Sequence, residues 1–256
     1  CDAIIRYGIP KVVFGSMDPF ENAAGRGMKK LIDSGVSVMS GISQKACDEL
    51  NRRFFTFHQK KRPYLILKYA QSADGFIAPD DANQERWISN EWSRKIVHQW
   101  RTEEPGIMVG TNTVLQDNPL LTARNRTGNQ PVRIILDRYG RIPRSMNVFN
   151  EDAGTIVFSC IPEQNFSKTT FVILEDDENF LNAVMQKLFE CNIQSIIVEG
   201  GLKLLSSLIS MNLWDEARIF TSNKIIHNGI PAPQRFGKIT DEKMIDGDRL
   251  TFIKPN

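Results

Sequence analysis

Residues Ser195-Ile196-Ile197-Val198-Glu199-Gly200-Gly201-Leu202 constrain the fold more than any other stretch of the chain. The β-branched run reads as a buried strand and stops at two glycines. Apolar residues then recur at Leu202, Leu205, Leu208 and Ile209, which is helical spacing. Strand, turn and helix start together bring backbone N–H groups and the positive end of a helix to the carboxyl edge of a sheet. That arrangement suits a phosphate or pyrophosphate. Glu199, at the last strand position, points into the same crevice. An ordinary strand–turn–helix with a solvated glutamate is the plainer reading of the same residues.

Composition limits what this stretch can serve. The 256 residues are 41% hydrophobic and 24% charged, enough for a large core in one domain or two. A net charge of +2 is too near neutral for bulk attraction to nucleic acid or an anionic membrane surface. Cys1, Cys47, Cys160 and Cys191 are scattered without a CxxC pair, which favours a reducing cytoplasm over a disulfide framework. No apolar run approaches the roughly 20 residues of a membrane span. The opening Cys1-Asp2-Ala3-Ile4-Ile5, without an initiator Met, reads as cut from something longer.

Residues 1–48 alternate helix and strand. Ile4, Ile5 and Ile9 suggest a short helix, and Lys11–Phe14 a strand. Met28, Leu31 and Ile32 mark a helix stopped by Gly35, and Val36–Met39 a second strand. Two strands are too few for a stable sheet of their own, so this reads as the tail of a domain. A helix with Ala46, Leu50, Phe54 and Phe57 on one face follows. The basic His58–Pro63 linker then sets a boundary, with residues 1–60 before it and 61–256 after. Strands are expected at Tyr64–Tyr69, Ile107–Val109, Val132–Leu136, Thr155–Phe158, Phe171–Leu174, Ile196–Val198, Ala217–Thr221 and Leu250–Ile253. Helical stripes lie between them, at Trp92, Ile96 and Trp100, and at Phe180, Val184 and Leu188. The architecture is α/β with a mostly parallel sheet flanked by helices. Ligands of such sheets bind outside the strands' carboxyl ends.

Candidate site residues collect at those ends. Lys68, inside an apolar strand, is costly to bury unless an anion answers it, either a ligand or an internal partner. Asp74-Gly75 is equally a turn former. Gly110-Thr111-Asn112-Thr113 forms a second helix start, and Asp117-Asn118-Pro119 must break that helix. Arg138 and Arg141 follow the strand ending at Asp137, where guanidinium forks would meet a 2′-phosphate or simply decorate a surface turn. His58, His98 and His227 have no metal-ligand spacing and read as non-catalytic. There is no GxSxG, P-loop or GxGxxG. These residues suit a nucleotide-type cofactor with a phosphorylated substrate and leave the reaction open.

Arg62-Pro63-Tyr64 through Lys68, Ser72–Gly75, Trp87-Ile88-Ser89, Val109–Thr122, Arg133–Asp137 and Val198–Gly201 together resemble the reductase domain of the bifunctional riboflavin-biosynthesis deaminase/reductase family. The match is collinear from about residue 62 to 222. Residues 1–48, including Ala24–Gly27, resemble the end of the same family's cytidine-deaminase-like domain. The resemblance implies a dihydrofolate-reductase-like fold preceded by a partial deaminase-like α/β fragment. Zinc would belong only to the deaminase half upstream of Cys1. It also implies NADPH-dependent reduction of 5-amino-6-(5-phosphoribosylamino)uracil to its ribitylamino product. Hydride passes to C1′ of the sugar once its ring has opened. Ala70, Trp87, Thr113, Asp117 and the helix start at Gly201, Leu202, Lys203 and Leu204 correspond to cofactor contacts, with Arg138 added for the 2′-phosphate. Arg101, Leu121, Arg124 and Glu199 correspond to substrate contacts, the arginines toward the ribose phosphate. Lys68 and Glu199 are the candidates for proton work.

The partner so implied is a small phosphorylated pyrimidine, with no nucleic acid or membrane, and the resemblance leaves room for a homodimer. Three places depart from the family pattern. Glu85 stands where a small hydroxyl residue is usual, and Arg138 follows the strand-end Asp137. Ser222-Asn223-Lys224 with His227-Asn228-Gly229 replaces the signature after Thr221. A reductase of another pterin or pyrimidine, and a non-catalytic nucleotide-binding remnant, are the competing readings.

Overall fold

The computed structural model describes residues 1–20, 25–80, 87–124 and 127–256. The chain forms two compact units, Cys1–Tyr64 and Leu65–Asn256. The first contains α1 (Asp2–Arg6), β1 (Lys11–Phe14), α2 (Arg26–Asp33), β2 (Ser37–Ser40), α3 (Gln44–Leu50) and α4 (Arg52–Lys60). β1 and β2 pair in parallel as a two-stranded sheet, Val12 opposite Val38.

Two expectations fail in this unit. Ile9 lies beyond α1, which ends at Arg6. The expected single helix over Ala46–Phe57 is broken between α3 and α4. Asn51 leaves the helical region at φ −100°, ψ 17°, and its Nδ2 donates to the Cys47 carbonyl at 2.9 Å. A short amide that satisfies the last helical carbonyls ends the helix it would otherwise continue. Leu50 consequently points to solvent, 80% exposed, while Phe57 is buried.

The second unit is a nine-stranded sheet. Its strands are β3 (Tyr64–Gln71), β5 (Gly106–Gly110), β6 (Val132–Leu136), β7 (Thr155–Ser159), β8 (Thr169–Ile173), β9 (Ser195–Val198), β10 (Glu216–Thr221), β12 (Lys238–Ile245) and β13 (Asp248–Lys254). The spatial order is β12-β13-β10-β3-β9-β5-β6-β7-β8. Parallel ladders join β9 through β8 and β10 to β3, while β13 and β12 close one side antiparallel. All eight expected strands are present within two residues. The additions are β12 and a small antiparallel pair, β4 (Phe76–Pro79) with β11 (Gly229–Pro231). β12 is exposed along nearly its whole length, so it lacks the apolar alternation that marks a half-buried strand.

Helices α5 (Glu91–Glu103), α6 (Thr111–Asp117), α7 (Phe180–Glu190) and α8 (Leu202–Ser210) connect these strands. The α7 stripe of Phe180, Val184 and Leu188 is buried as the spacing requires. The α5 stripe is rotated from the expected one. Ser93, Val97 and Trp100 face inward, and Trp92 is exposed under the Lys95 ammonium. Buried polar anchors set this rotation: Asp248 accepts from the Asn90 N–H at 2.8 Å and the Ser93 hydroxyl at 2.7 Å. Two charge-assisted bonds at a helix start outweigh one exposed indole.

Leu188 is fully enclosed in the cluster of Met108, Ile134, Phe158, Val184 and Ile196. Leu188→Ala should therefore cost about 2–5 kcal/mol. Urea unfolding checks this through a lowered midpoint at unchanged m-value.

Candidate active site

β9 lies between β3 and β5 although the chain forms it after β8. This insertion brings Lys68 of β3 beside Glu199, 131 positions away in sequence, with Nζ 3.5 Å from Oε2. Lys68 sits inside β3 rather than at its end, and Glu199 is the first residue past β9. The second placement corrects the reading of Glu199 as the last residue of its strand. Glu199 still extends the ladder, its N–H donating to the Met108 carbonyl at 2.9 Å.

Arg101 of α5 completes the cluster. Its Nε donates to Glu199 Oε1 at 2.8 Å and its Nη2 to Oε2 at 3.0 Å, a two-pronged grip. Its Nη1 donates to the Thr122 carbonyl at 3.0 Å. The three side chains are only 15% (Lys68), 11% (Glu199) and 12% (Arg101) exposed. Burial pushes the Glu199 acid toward its neutral form, but Arg101 and then Lys68 outweigh it and hold the carboxyl down at about 2. Glu199 is thus a fixed carboxylate at any physiological pH.

Thr122, the last residue of the Val109–Thr122 motif and given no role of its own there, lies on a segment shaped by two left-handed residues. Asn118 ends α6 at φ 40°, a conformation asparagine tolerates. Leu121 is buried at φ 53°, which for a leucine stores of order 1–3 kcal/mol of strain. The fully buried Arg133 of β6 holds this segment. Its Nε donates to the Leu120 carbonyl at 2.9 Å, and its Nη atoms donate to the carbonyls of Val148, Asn150 and Ala153 and to Asn150 Oδ1. Arg124 follows, exposed, its backbone N–H donating to His98 Nδ1 at 3.2 Å. Burial, then the neighbouring Arg101 and Arg124 charges, push the His98 imidazole below its usual range.

On the other side of Glu199 the chain turns through Gly200-Gly201 into α8. The Gly201 N–H donates to Thr113 Oγ1 at 3.1 Å, so the two helix starts meet through one hydroxyl. The first-turn N–H groups of Leu202, Lys203 and Leu204 face out of the end of α8, as such groups do. An added Cβ at Gly110 would meet no atom within 4 Å, which leaves room for a ligand at the start of α6. Asp117 is exposed at the far end of that helix. Ala70 is partly buried near the end of β3. These features fit a phosphate-bearing nucleotide.

Arg138 fits less well. Its guanidinium is paired with Asp176, donates to the Asp177 carbonyl, and stacks 4.8 Å from the Phe180 ring. Arg141 is exposed and donates to Asn112 Oδ1 at 3.0 Å. Asp137 is a turn organiser, accepting from Thr111 Oγ1 and from the N–H groups of Arg141 and Ile142.

Trp87 is 58% exposed, with the Arg94 guanidinium 5.1 Å from its ring. Its carbonyl accepts from Lys224 Nζ at 2.6 Å. The residues that depart from the family pattern after β10 are therefore engaged. Asp74 accepts from the N–H groups of Ile226 and His227 and from the Ser72 hydroxyl, which makes it the turn organiser its Asp-Gly context suggested. Glu85, the other departure, lies outside the described residues. Among the described residues no cluster of three or more His, Cys, Asp or Glu side chains is placed to hold a metal ion, and no helix is long and apolar enough to cross a membrane.

The Glu199 carboxyl is held low in the folded protein, so its contribution to stability is complete above the ordinary value near 4.5 and disappears as pH falls toward about 2. Glu199→Gln should lower stability at neutral pH by about 3–5 kcal/mol, because Arg101 and Lys68 then lie buried without their anion. Its stability should also fall less steeply than the parent's between those two pH values. Urea midpoints recorded across that range check both outcomes.

Residues 63–238 match the family described as RibD C-terminal domain. A riboflavin biosynthesis protein RibD from Aquifex aeolicus is 38% identical over 90% of this chain and 65% of its own length. The Synechocystis protein of the same name is 33% identical over 98% of this chain and 70% of its own. A solved structure from Thermotoga maritima, a diaminohydroxyphosphoribosylaminopyrimidine deaminase/5-amino-6-(5-phosphoribosylamino)uracil reductase, superposes with a TM-score of 0.88 at 33% identity. It covers all of this chain and 74% of its own. The chain thus spans about 65% of the Aquifex relative's length. It belongs to the RibD C-terminal domain family.

Proposed function

We propose that the chain catalyses the NADPH-dependent reduction of 5-amino-6-(5-phosphoribosylamino)uracil, in a cytoplasmic setting. The observation that carries this reading is the Lys68–Glu199–Arg101 cluster at the insertion point of β9, in a domain matched to the family over residues 63–238. The named reductase activity of the Thermotoga relative supports the same substrate. In this reading residues 1–60 correspond to the deaminase-like part of such proteins and 61–256 to the reductase.

NADPH, when bound, supplies the hydride. The start of α8 at Gly201–Leu204, with Thr113, holds its phosphates, and Ala70, Trp87 and Asp117 line its remaining length. Arg138 reaches a 2′-phosphate only by exchanging Asp176 for it. Leu121, Arg124 and Glu199 face the substrate.

The proton at the sugar is assigned to Lys68. Glu199, held at about 2, is a carboxylate with no proton to give and too weak a base to take one. An ammonium has protons to donate to an opened sugar oxygen, and Glu199 keeps it aimed. Orientation of Lys68 against C1′ is then the chain's main contribution to rate.

Lys68→Met should lower kcat by about 10²-fold or more with little change in NADPH affinity. Initial rates with the phosphoribosylaminouracil, alongside NADPH titration followed by fluorescence, check the two quantities separately. Normal turnover by this variant would sink the assignment. The adenosine side has its own test. If Arg138 serves the 2′-phosphate, Asp176→Asn should raise the NADPH over NADH preference in kcat/KM by several-fold, since a competing carboxylate is removed.

A further inference from the structure

A second buried ion pair lies beside the first. Arg218 and Glu216 of β10 are both buried, and the Arg218 Nε donates to Glu216 Oε1 at 2.6 Å. The Trp100 ring of α5 covers the guanidinium, with Cζ 4.5 Å from the ring centroid. In the parallel ladder of β10 with β3, Arg218 stands opposite Lys68 and Glu216 opposite Ile66. Partners in such a ladder project from the same face of the sheet. The alternate residues Leu67, Tyr69, Ala217 and Ile219 belong to the apolar cluster on the other face. Glu216, Arg218, Lys68, Glu199 and Arg101 thus share one face, in that order across the sheet.

Lys68 and Arg218 are two cations side by side in this row, and each is answered by a carboxylate on the side away from the other. Lys68 has both carboxylates in reach. Glu199 Oε2 is 3.5 Å away. Glu216 lies diagonally across the ladder, where strand spacing and rise put the two Cα atoms about 8 Å apart. A lysine and a glutamate side chain together span more than that. With Glu216 open, Lys68 would lie back toward the amino ends of the strands. Arg218 closes that route, since its guanidinium takes Glu216 and its charge repels the ammonium in a poorly screened interior. Folding alone does not call for this pair, because apolar residues of similar volume often replace a buried ion pair without loss of stability.

We propose that Arg218 is a positioning residue: by occupying Glu216 it leaves Glu199 as the carboxylate of Lys68 and keeps the ammonium at the carboxyl edge of the sheet. The inference rests on the reductase reading for the task of Lys68, and adds to it a residue that acts only through Lys68.

The test compares initial rates and NADPH titrations for the parent, Arg218→Met, Arg218→Lys and the double variant Glu216→Gln with Arg218→Met. Each rate is divided by the folded fraction found by urea unfolding. Arg218→Met frees Glu216 to take Lys68, so kcat should fall about 10- to 100-fold, the range a misplaced group costs, with KM for NADPH nearly unchanged. Arg218→Lys keeps a cation on Glu216 and should hold kcat within about fivefold of the parent. The double variant removes the competing carboxylate together with the guanidinium, and its kcat should recover to about the level of Arg218→Lys. Recovery is what a packing role would not give, because the double variant lacks the same stack on Trp100 as the single one.

Parent-like kcat in Arg218→Met, or a double variant as slow as the single one, overturns the proposal. If Arg218→Met does not fold, the other two variants decide. Near-parent kcat in both supports it, and a loss of about tenfold or more in either overturns it. A parent protein that turns over no phosphoribosylaminouracil refutes the reductase reading instead. The positioning role is then read from a crystal structure of Arg218→Met: Lys68 Nζ on the Glu216 carboxylate supports it, and Nζ still on Glu199 overturns it.

Discussion

Three charges share the centre of the sheet, and the second unit is organised to make that tolerable. A buried carboxylate or ammonium costs several kcal/mol unless its partners are placed well. Here Glu199 takes two bonds from Arg101 and one from Lys68, so the carboxylate is satisfied from two different elements. The cost of the arrangement is rigidity: α5, β3, the turn after β9 and the Thr122 segment must all keep their positions together. Rigidity of that kind fits the proposed reductase site, in which an ammonium is held against a sugar carbon.

The supports reach outward in both directions. On one side, Arg133 gathers five acceptors from Leu120 and the 148–153 region and so fixes a strained Leu121. On the other, Thr113 joins the starts of α6 and α8 through the Gly201 N–H. Neither support touches Lys68: one holds the segment whose Thr122 carbonyl takes Arg101, and the other holds the turn that follows Glu199. The surface loop after β10 is held in the same manner, with Asp74 taking the backbone of Ile226 and His227, and Lys224 taking that of Trp87.

Much of this was legible in the sequence because it followed from local pattern. The apolar runs located eight strands of the sheet, and Ser195–Leu208 declared a strand, a turn and a helix in order. The pairing of Lys68 with Glu199 was legible for a different reason: a lysine in an apolar strand needs an anion, and Glu199 stood at another strand's end. What stayed hidden depended on tertiary contacts. The rotation of α5 follows from Asp248, over 150 residues away from Ser93 and Asn90, and no periodicity carries that information. The two-pronged grip of Arg101 was hidden similarly, since a helical arginine looks the same whether it meets a ligand or a neighbour. Asn51 carried a weak local signal, a poor helix former in mid-stripe, and the hydrophobic spacing on both sides concealed it.

The place of β9 in the sheet has a consequence for how the protein is made. Strands β3, β5, β6, β7 and β8 all leave the ribosome before the strand that must separate the first two. Until Val198 has emerged, β3 has neither of its final neighbours, since β10 follows later still. An unfilled slot between two apolar strands exposes open ladder edges of the kind that pair wrongly or recruit other chains. The ion cluster therefore assembles only after β8 and β9 have both been made, across a separation that makes the contact slow to form. Cellular yield of the protein should accordingly depend on how the nascent chain is shielded between Gln71 and Val198, a stretch whose sequence is otherwise set by the finished fold.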